Sequence, residues 1–443
     1  MSDIFLAYDV RGKYPENINE DVATRIGKAL GTLVEQGTVC IGNDIRISSP
    51  RLHKSAIAGL EATGADVSTI GTATTAVCYF QTWARKMDAG VFVTASHNPP
   101  AYNGFKFMEQ DGTAFLEKLE HLKQIYLSGK FVHGYGQVQE LPEAISEYCN
   151  FITSQVEIDR KLKIITDSFF AAGSLVIEDL LSSYDVDAYN LSCEAKADFG
   201  GRIPEPTEAR LRAVMTAIRK QNADFGVGFD GDADRSVFVD DKGRIVDGSI
   251  MTLLFAQDYL EHNKGARIVA PINSTSLLQT EVERLGGELI WTRIGHSFIE
   301  KELVRKNAIF AGEPSSHFYF NDLYPFSDGI LATIKLAALL SRSSQSLSEL
   351  IDVLPPTFLL NSALEFESHR QKGEKMRATI ESIQNLYEDI LTIDGVKVNL
   401  NRTAWVLIRP SNTEPKIRIS IEAESEKTAK HILEEFTNIV HRS

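Results

Sequence analysis

The stretch Gly90-Val-Phe-Val-Thr-Ala-Ser-His-Asn-Pro-Pro100 predicts a buried strand that ends in a polar loop. Val91 to Thr94 are mostly apolar, and the loop after them places Ser96 beside His97. The two prolines have no N–H group to donate, so strand pairing cannot continue through them. Because α/β proteins carry their chemistry at the ends of buried strands, Ser96 is a candidate nucleophile.

Ser96 does not fit the G-x-S-x-G elbow of serine hydrolases. Thr94 and Asn98 stand where that motif has its two glycines. A Ser-His pair in a loop is also compatible with a hydrogen-bonded turn that has no catalytic role. The role of Ser96 therefore depends on the partners that the rest of the chain supplies.

The composition is that of a large soluble globular protein, with 43% hydrophobic and 24% charged residues. A chain of 443 residues is too long for one ordinary core, so about two to four domains are expected. No apolar run is long enough to span a bilayer, and the N-terminus lacks the pattern of a secretory signal. The four cysteines are scattered without a C-x-x-C pair, so we expect reduced thiols and a cytoplasmic location. Because no apolar run could span a bilayer, we also expect no membrane partner.

The formal net charge of −14 argues against a general nucleic-acid-binding protein, which would carry a basic surface. It does not exclude a small anionic substrate, because salt screens charges beyond about 8 Å and local arginines then decide binding. We therefore expect a small-molecule partner and no nucleic acid. The sequence does not indicate the oligomeric state.

Strands and helices alternate along most of the chain. Helices are predicted at Asp21 to Gly37 and Ser48 to Ala62, and strands at Thr38 to Ile41 and Asp66 to Ile70. The alternation restarts twice further along the chain, which favours mixed or parallel sheets. From about residue 355, strands and helices mix differently and predict a separate α+β domain.

Three buried strands lead into similar polar loops: Val91–Val93 into TASHNP, Phe225–Phe229 into DGDADR and Ile309–Ala311 into GEPSSH. This weak internal repeat suggests three related mixed α/β domains. Proline-marked joints near residues 142 and 355 are plausible boundaries. We predict four domains: 1–142 with the serine loop, 143–240 with DGDADR, 241–354 with GEPSSH, and 355–443.

Asp230, Asp232 and Asp234 alternate in a loop after a predicted strand, so their carboxylates can converge on one cation. Three carboxylates that close repel one another unless a metal neutralises them, and hard oxygen ligands favour Mg²⁺. A solvated acidic turn is the simpler alternative. An EF-hand does not fit, because its sixth position would be Arg235 rather than Gly and its twelfth Asp241 rather than Glu.

Two further loops carry groups that suit a sugar phosphate. Arg409-Pro-Ser-Asn-Thr413 offers a guanidinium, two hydroxyls and an amide, with Arg418 nearby, which suits the three oxygens of a phosphate monoester. Its Ser-Asn-Thr part is also compatible with a capped turn. Glu313, Ser315 and His317 alternate after a strand and suit sugar hydroxyls, although such an edge is commonly only solvated.

Several basic side chains could lie near phosphates, and any one of them is equally compatible with a surface position: Arg11, Lys13, Arg46, Lys106, Arg235 and Arg293. A hydroxyl nucleophile, a Mg²⁺ site, a phosphate-binding loop and a hydroxyl-binding loop together suggest phosphoryl transfer on a sugar phosphate.

With TASHNP, DGDADR, GEPSSH and RPSNTEPKIR in this order, the chain resembles the α-D-phosphohexomutase superfamily, specifically its phosphomannomutase/phosphoglucomutase branch. The resemblance covers essentially the whole chain. It implies three related mixed α/β domains and a C-terminal α+β domain around a central cleft. It also implies Mg²⁺ as cofactor and a hexose 1,6-bisphosphate as activator and intermediate.

The resemblance implies a role for each matching residue. Ser96 would be the serine that becomes phosphorylated, and it would bind Mg²⁺ together with Asp230, Asp232 and Asp234. The catalytic candidates are Ser96, His97, Lys106, Arg235, His296 and Arg11. The substrate-binding candidates are Glu313, Ser315 and His317 for the sugar, and Arg409, Ser411, Asn412, Thr413 and Arg418 for its phosphate.

The assignment to this branch rests on two motifs, Tyr8-Asp-Val-Arg-Gly12 near the start and Ser-Asn-Thr in the last loop. Phosphoglucosamine mutases tend to have Gly-Thr-Asp-Gly in place of the first and Ser-Gly-Thr in place of the second. Ser316 stands where many relatives have Gly, and Asn273 where some have Lys, so the preferred sugar stays open. Phosphoglucosamine mutase and phosphopentomutase are the alternatives within the superfamily. A Mg²⁺-dependent sugar-phosphate phosphatase and a non-catalytic sugar-phosphate-binding protein are alternatives of other classes.

Overall fold

A computed structural model of the chain describes residues 4–411 and 414–443. The chain divides into two compact units, Met1–Gly248 with Ser315–Ser348, and Ser249–Pro314 with Glu349–Ser443. Among the described residues, no helix combines the length and the apolar character needed to cross a membrane.

A six-stranded mixed sheet carries the serine loop in the first unit. Its strands are β1 (Val10–Lys13), β2 (Thr38–Asn43), β3 (Asp66–Thr72), β4 (Ala89–Val93), β5 (Tyr102–Glu109) and β6 (Val138–Glu140). They pair in the order β1-β5-β4-β2-β3-β6; the β4–β5 and β5–β1 pairs are antiparallel and the others parallel. The helices of this segment are α1 (Glu20–Leu33), α2 (Ser49–Glu61), α3 (Thr75–Ala84), α4 (Glu117–Ser128) and α5 (Ala144–Gln155).

The predicted strand of the serine loop is confirmed, since all five residues of β4 are buried, as expected for a strand inside a covered sheet. The end of helix α1 differs from prediction. Helix α1 ends at Leu33 rather than Gly37, because Glu35 and Gln36 turn left-handed and the Gln36 N–H closes the helix on the Gly31 carbonyl. Helix α2 agrees with its predicted bounds to within one residue, with Ser48 as N-cap and Ala62 as C-cap, but the Ser48 side chain makes no capping bond within the described residues.

A four-stranded sheet carries the acidic loop, also in the first unit. Its strands are β7 (Leu162–Asp167), β8 (Val186–Leu191), β9 (Phe225–Phe229) and β10 (Ser236–Asp240), with helices α6 (Ile177–Ser182) and α7 (Glu208–Gln221). They pair in the order β10-β9-β7-β8, and only β9–β10 is antiparallel. In both sheets a buried strand therefore delivers a polar loop and an antiparallel strand follows it.

The third segment again alternates helices and strands. In the second unit it contains α8 (Gly248–His262), β11 (Arg267–Pro271), α9 (Ser276–Arg284), β12 (Glu288–Thr292), α10 (His296–Arg305) and β13 (Phe310–Gly312). The strands β12, β11 and β13 are parallel neighbours in that order. The chain then forms β14 (Phe318–Phe320), α11 (Gly329–Arg342) and α12 (Leu347–Asp352).

The C-terminal segment is the predicted α+β part of the chain, and its sheet is fully antiparallel, in the order β15-β19-β18-β17-β16. Its elements are β15 (Phe358–Glu365), α13 (His369–Leu386), β16 (Ile390–Leu391), β17 (Val396–Asn401), β18 (Ala404–Pro410), β19 (Lys416–Ala423) and α14 (Glu426–Arg442). The inward-facing residues of β17, β18 and β19 form its core with Ile383 of α13 and Phe436 of α14.

Candidate active site

The serine loop between β4 and β5 holds Ser96 in a left-handed backbone conformation, with φ at 50°. A non-glycine residue there costs roughly 1–2 kcal/mol, so neighbouring contacts must hold it. The Ser96 N–H donates to Thr94 Oγ1 at 2.9 Å, and the Thr94 hydroxyl donates to Asp44 Oδ2 at 2.8 Å. Ser96 is only 2% exposed, so its hydroxyl is directed by the protein rather than by solvent.

Arg46 is the main support of this loop. Its guanidinium is fully buried and its Nε donates to Asp44 Oδ2 at 3.0 Å. The two other nitrogens donate to four backbone carbonyls of the loop: Ser96 at 2.6 Å, Asn98 at 2.8 Å, Pro99 at 2.8 Å and Tyr102 at 3.0 Å. All five N–H donors of Arg46 are therefore used. The sequence suggested Arg46 as a cation near phosphates, but it binds the backbone instead.

The acidic loop after β9 brings its three aspartates together beside Ser96. Ligand oxygens of Asp230, Asp232 and Asp234 all lie within 4.8 Å of one another, and all three side chains are buried. The Ser96 hydroxyl donates to Asp230 Oδ2 at 2.6 Å, although the two residues are 134 positions apart. The arrangement joins the predicted nucleophile to the predicted metal site.

The donor set fits a hard cation. Thr75 Oγ1 donates to Asp232 Oδ2 at 2.7 Å, but Asp232 Oδ1 is buried without a hydrogen-bond partner among the described residues. Asp234 Oδ1 lies 3.7 Å from His317 Nε2, which is longer than a hydrogen bond. Buried carboxylate oxygens that lack a donor are costly, and a cation such as Mg²⁺ would satisfy them.

Lys106 lies on β5 and is ion-paired to the triad. Its Nζ is 2.7 Å from Asp232 Oδ2 and 2.6 Å from Asp234 Oδ2. Burial disfavours the ammonium, but these two carboxylates outweigh it and raise the pKa of Lys106 above its ordinary value. Lys106 therefore stays protonated near neutral pH, as a fixed cation and donor rather than a base.

The three carboxylates have different proton affinities. Burial and the charge of Asp234 raise the pKa of Asp230 to about 6, even though Arg235 acts in the opposite direction. Burial would also raise the pKa of Asp234, but Lys106 and His317 hold it well below its ordinary value. Asp230, the partner of the Ser96 hydroxyl, is thus the carboxylate of the triad that protonates most easily.

Three further catalytic candidates, Arg235, His97 and Arg11, contact the serine loop or its Asp230 partner. Arg235 Nε donates to Asp230 Oδ2 at 3.1 Å, and another of its nitrogens contacts His97 Nδ1. Burial, Arg235 and Arg11 lower the pKa of His97 to about 3, so the imidazole is neutral at physiological pH. Arg11 Nη1 donates to Asn98 Oδ1 at 2.7 Å, which places a second guanidinium on the serine loop.

Part of the predicted sugar loop also reaches this centre within the first unit. The Ser236 N–H donates to the Ser316 carbonyl at 3.1 Å, and Ser316 is left-handed with φ at 66°. Ser315 Oγ lies 3.0 Å from His317 Nδ1. His317 thus lies beside Asp234, and its contact with a sugar stays a prediction.

Other candidates lie in the second unit. Glu313 follows β13 and is buried, and His296 is the first residue of α10. Asn273, just after β11, has a buried side-chain oxygen without a hydrogen-bond partner among the described residues. A buried amide oxygen of this kind is suited to accept a hydroxyl donor.

The predicted phosphate-binding loop joins β18 to β19. Arg409 and Arg418 are directly opposed in the antiparallel register of these strands. Like charges in this position repel, and an anion between them would offset the repulsion. Arg409 Nε is buried without a hydrogen-bond partner among the described residues, although Asp394 lies 3.6 Å from another nitrogen of the same guanidinium. Asn412 and Thr413 lie outside the described residues.

A buried lysine that the sequence interpretation missed supports this loop. Lys372 of α13 donates from Nζ to the Ser411 carbonyl at 2.6 Å and to the Glu414 carbonyl at 3.3 Å. Ser411 Oγ accepts from the Glu414 N–H at 3.3 Å. A lysine on an amphipathic helix gives no local signal of such a contact, because helical spacing alone does not say which loop it meets.

Family models match four consecutive parts of the chain. The models described as phosphoglucomutase/phosphomannomutase alpha/beta/alpha domains I, II and III match residues 2–133, 146–243 and 247–358. The model for the C-terminal domain matches residues 365–439. The predicted resemblance and the four-domain α/β fold class are confirmed.

Known proteins are similar over nearly the whole chain. The probable phosphoglucosamine mutase of Methanopyrus kandleri is 33% identical, over 100% of this chain and 98% of the relative. The phosphoglucomutase/phosphomannomutase of Thermococcus kodakarensis is also 33% identical, over 98% and 97%. The crystal structure of a phosphoglucomutase/phosphomannomutase family protein from Burkholderia thailandensis has a TM-score of 0.91 at 29% identity, over 99% and 97%.

Proposed function

Because this chain belongs to the phosphoglucomutase/phosphomannomutase family of intramolecular phosphotransferases, we propose that it interconverts hexose 1-phosphate and hexose 6-phosphate, with mannose, glucose or both as the sugar. The observation that carries the proposal is the 2.6 Å hydrogen bond from Ser96 Oγ to Asp230. It joins a buried hydroxyl to a triad that could bind a metal, as phosphoryl transfer requires.

In the proposed reaction Ser96 carries a phosphoryl group and gives it to the free O1 or O6 hydroxyl of a hexose monophosphate. The P–Oγ bond breaks as the new P–O bond forms, and the proton of the sugar hydroxyl is exchanged for one on Ser96 Oγ, which leaves a hexose 1,6-bisphosphate and a free serine hydroxyl. This intermediate turns end for end and returns its other phosphate to Ser96. Lys106 and Arg235 would add fixed positive charge beside the phosphoryl group in transit.

Asp230, Asp232 and Asp234 would hold Mg²⁺ together with a Ser96 phosphate oxygen, and the ion would supply positive charge to the phosphoryl oxygens. The unpartnered Asp232 oxygen supports this assignment. His97 is neutral, so we propose that it orients Arg235 and the serine hydroxyl rather than carrying charge. Arg11 would support the serine loop through Asn98.

We propose that the remaining candidates bind the substrate. Glu313, Ser315 and His317 would hold sugar hydroxyls, and His296 would contact the substrate or take part in proton transfer. The non-reacting phosphate would be held by the loop after β18, through Arg409, Ser411, Asn412, Thr413 and Arg418. The opposed arginines of β18 and β19 support an anion at this place. The partner is thus a small sugar phosphate, and we propose that the protein is located in the cytoplasm.

The test is a set of initial rates on mannose, glucose, glucosamine and ribose 1-phosphates, with Mg²⁺ and a trace of hexose 1,6-bisphosphate. We expect conversion of the first two substrates without release of inorganic phosphate. Phosphate release without isomerisation would replace the proposal with a sugar-phosphate phosphatase. Binding without turnover, unaffected by Mg²⁺, would leave only a sugar-phosphate-binding protein.

A second candidate is a phosphoglucosamine mutase, the name borne by the Methanopyrus kandleri relative. It shares the phosphoserine chemistry and differs only in the sugar. A rate on glucosamine 1-phosphate above those on mannose and glucose 1-phosphates would favour it. A rate on ribose 1-phosphate alone would point to a phosphopentomutase.

Ser96→Ala tests the nucleophile directly. We expect turnover below about 1% of the wild-type value, because no other hydroxyl is bonded to Asp230 in the described part of the chain. The exposed Ser182 on α6 provides the matched control Ser182→Ala, which should keep full activity. Full turnover by Ser96→Ala would exclude the mechanism.

A further inference from the structure

The guanidinium of Arg46 holds the serine loop through donors that lie in its plane, and an aromatic ring covers one of its faces. The Cζ atom of Arg46 lies 5.0 Å from the ring centroid of Phe199, which lies between β8 and α7. Neither side chain is exposed to solvent. A cation over a ring face within about 6 Å is attracted by the electron density of the ring, and more strongly where water is excluded. Phe199 therefore contacts the main support of the serine loop in a direction that its hydrogen bonds leave open.

Phe199 has a backbone conformation that is uncommon for a bulky residue. Its φ is 56°, and Gly200 and Gly201 continue in the left-handed region with φ at 59° and 75°. A β-carbon makes this region costly, so a phenylalanine persists there only where other contacts hold it. Strain of this kind is concentrated at functional sites, which makes the contact with Arg46 a candidate for the role that it serves.

The chain on both sides of Phe199 is wrapped around a second ring, that of Phe170. The Lys196 N–H donates to the Phe170 carbonyl at 2.9 Å, and Lys196 Nζ lies 4.5 Å from the centroid of the Phe170 ring. Arg202 Cζ lies 5.4 Å from the same centroid. A Cβ on Gly200 would lie 2.8 Å from Phe170 Cδ2, so the turn closes tightly on this ring. Because Lys196 and Arg202 flank Phe199 in sequence, their contacts fix the direction in which Phe199 points.

The same stretch of chain also contacts the acidic loop. A Cβ on Gly231 would lie 3.1 Å from Pro204 Cγ, so Pro204 packs on the backbone of that loop. The Ala172 N–H donates to the Gly231 carbonyl at 3.3 Å, and Ala172 belongs to the same apolar cluster as Phe199. Phe199 is therefore held on the side of the acidic loop, while its ring lies against Arg46 on the side of the serine loop.

We propose that Phe199 is a positioning residue that acts on Ser96 through its cation–π contact with Arg46. The inference rests on the proposed function, because it takes Ser96 as the nucleophile. The ring stabilises the guanidinium in the orientation in which its donors meet the carbonyls of the serine loop. With that attraction weakened, the guanidinium would tilt and Ser96 would shift relative to Asp230, and a small displacement of a nucleophile lowers the rate. The simpler alternative is a ring that only fills space in an apolar cluster with Ile45, Ala171 and Ala172.

The experiment replaces Phe199 in the full-length protein by phenylalanines with one, two and three ring fluorines, introduced by stop-codon suppression. Fluorine changes the size of the ring little but withdraws electron density from its face, so each step weakens the attraction of Arg46. We expect kcat for hexose phosphates to fall with each fluorine, by about 10-fold in total, while KM stays within about 2-fold because the effect is on Ser96 and not on substrate binding. A constant kcat across the series would overturn the proposal, since a ring that only fills space is insensitive to the charge of its face.

The matched control is the same series at Phe436 of α14. Phe436 is also fully buried, and its ring stacks on that of Tyr387 with the centroids 5.3 Å apart. We expect kcat to stay constant in this series, and an equal fall at both positions would contradict a specific role of Phe199. Phe199→Leu removes the ring altogether and should lower kcat at least as much as three fluorines do. If that variant folds poorly, the fluorinated series still decides the question, because its rings keep the native shape.

A second readout does not depend on mutase activity. Hydrogen exchange, followed by mass spectrometry, measures how often the backbone of residues 94–102 opens, where the N–H groups of Thr94, Ser96, Asn98 and Tyr102 are hydrogen-bonded. With three fluorines on Phe199 we expect this peptide to exchange several-fold faster and the peptide of α14 to stay unchanged. An active mutase whose serine loop does not respond would remove this inference alone. A responding loop in a protein without mutase activity would refute the proposed function and leave the role of Phe199 in holding the loop.

Discussion

Arg46 is the single side chain on which the position of Ser96 depends most. Its planar guanidinium bonds four backbone carbonyls of the serine loop and Asp44 at once. Lysine has three donors without this planar arrangement, so it cannot replace these contacts. If a lysine replaced Arg46, the left-handed Ser96 would lose the contacts that offset its conformational cost.

We predict that Arg46→Lys lowers turnover at least about 10-fold and the free energy of unfolding by about 3 kcal/mol, because Asp44 and several carbonyls lose buried donors. Initial rates and denaturant unfolding measure the two effects. Arg51→Lys, on the exposed face of α2, is the matched control and should change neither. If Arg46→Lys kept wild-type turnover, the serine loop would keep its active conformation without the Arg46 contacts.

Lys397 of β17 is buried, at 1% exposure, and leads to a prediction about how stability depends on pH. Its pKa is about 7 in the folded protein because of burial, against about 10.4 in an unfolded chain. Between these values the unfolded state binds more protons, so folding stability rises with pH. Below about pH 7 both states hold the proton, and this dependence ends.

We therefore predict that wild-type stability, relative to Lys397→Met, rises by up to about 1.4 kcal/mol per pH unit between roughly pH 7 and 10. Denaturant unfolding of both proteins at several pH values measures the difference, with Lys220→Met as an exposed control. A constant difference across this window would show that Lys397 is charged in the folded protein.

At the scale of elements, the serine loop after β4 and the acidic loop after β9 approach each other through a glycine. A Cβ on Gly231 would lie 2.2 Å from the Ser96 carbonyl oxygen, so a side chain cannot be accommodated without movement. The same approach allows the 2.6 Å bond between Ser96 and Asp230. The absence of a side chain at Gly231 thus helps to bring nucleophile and triad together.

We predict that Gly231→Ala lowers turnover more than about 10-fold and costs about 1–3 kcal/mol of stability through overpacking. The rate and the unfolding free energy are measured together. The control is Gly373→Ala in α13, where a Cβ meets nothing within 4 Å and alanine favours the helix. If Gly231→Ala were fully active, turnover would not depend on the close approach of the two loops.

The strand pair β18–β19 carries the other element-scale prediction. Arg418 is exposed and has only a 3.3 Å contact to Glu414, so its charge adds little to stability. We expect Arg418→Gln to raise the KM for hexose phosphates about 10-fold or more, because a phosphate would lose a charge-assisted bond. Its unfolding free energy should change by less than about 0.5 kcal/mol.

Steady-state rates and denaturant unfolding test this prediction, and the exposed Arg442→Gln on α14 serves as control. An unchanged KM in Arg418→Gln would remove this arginine from the proposed phosphate site.

At the scale of the whole molecule, the acidic triad links metal binding to folding. Three buried carboxylates share Lys106 and Arg235, yet one buried oxygen of Asp232 has no donor within the part of the chain that the structure describes. A cation that binds only the folded protein stabilises it, by about 2.7 kcal/mol at 100 times its Kd. The melting temperature should therefore report occupancy of the triad.

We predict that Mg²⁺ raises the melting temperature of the wild-type protein and that a chelator reverses this and stops turnover. Asp232→Asn should lose most of the shift, because it removes one ligand charge. Differential scanning calorimetry with and without Mg²⁺ measures the shift in melting temperature, and Asp258→Asn on α8 is the control. An equal shift in Asp232→Asn and wild type would place the cation elsewhere.

The order of the elements and the loops that carry chemistry could be predicted from the sequence alone. Strand and helix periodicity is a local property, so β2 and β3 were predicted to within two residues, and so were the strands before Ser96 and Asp230. The motif resemblance added the candidate residues. The domain boundaries at 142, 240 and 354 stay predictions.

The contacts among these groups could not be predicted and are known from the three-dimensional structure. Ser96 meets Asp230 across 134 residues, Lys106 meets Asp232 across 126, and Arg46 meets the Ser96 carbonyl across 50. No local pattern specifies such contacts, because sheet pairing and burial bring distant loops to one place. Arg46 shows the consequence: the sequence identified a cation suited to phosphate, and packing turned all five of its donors toward the backbone.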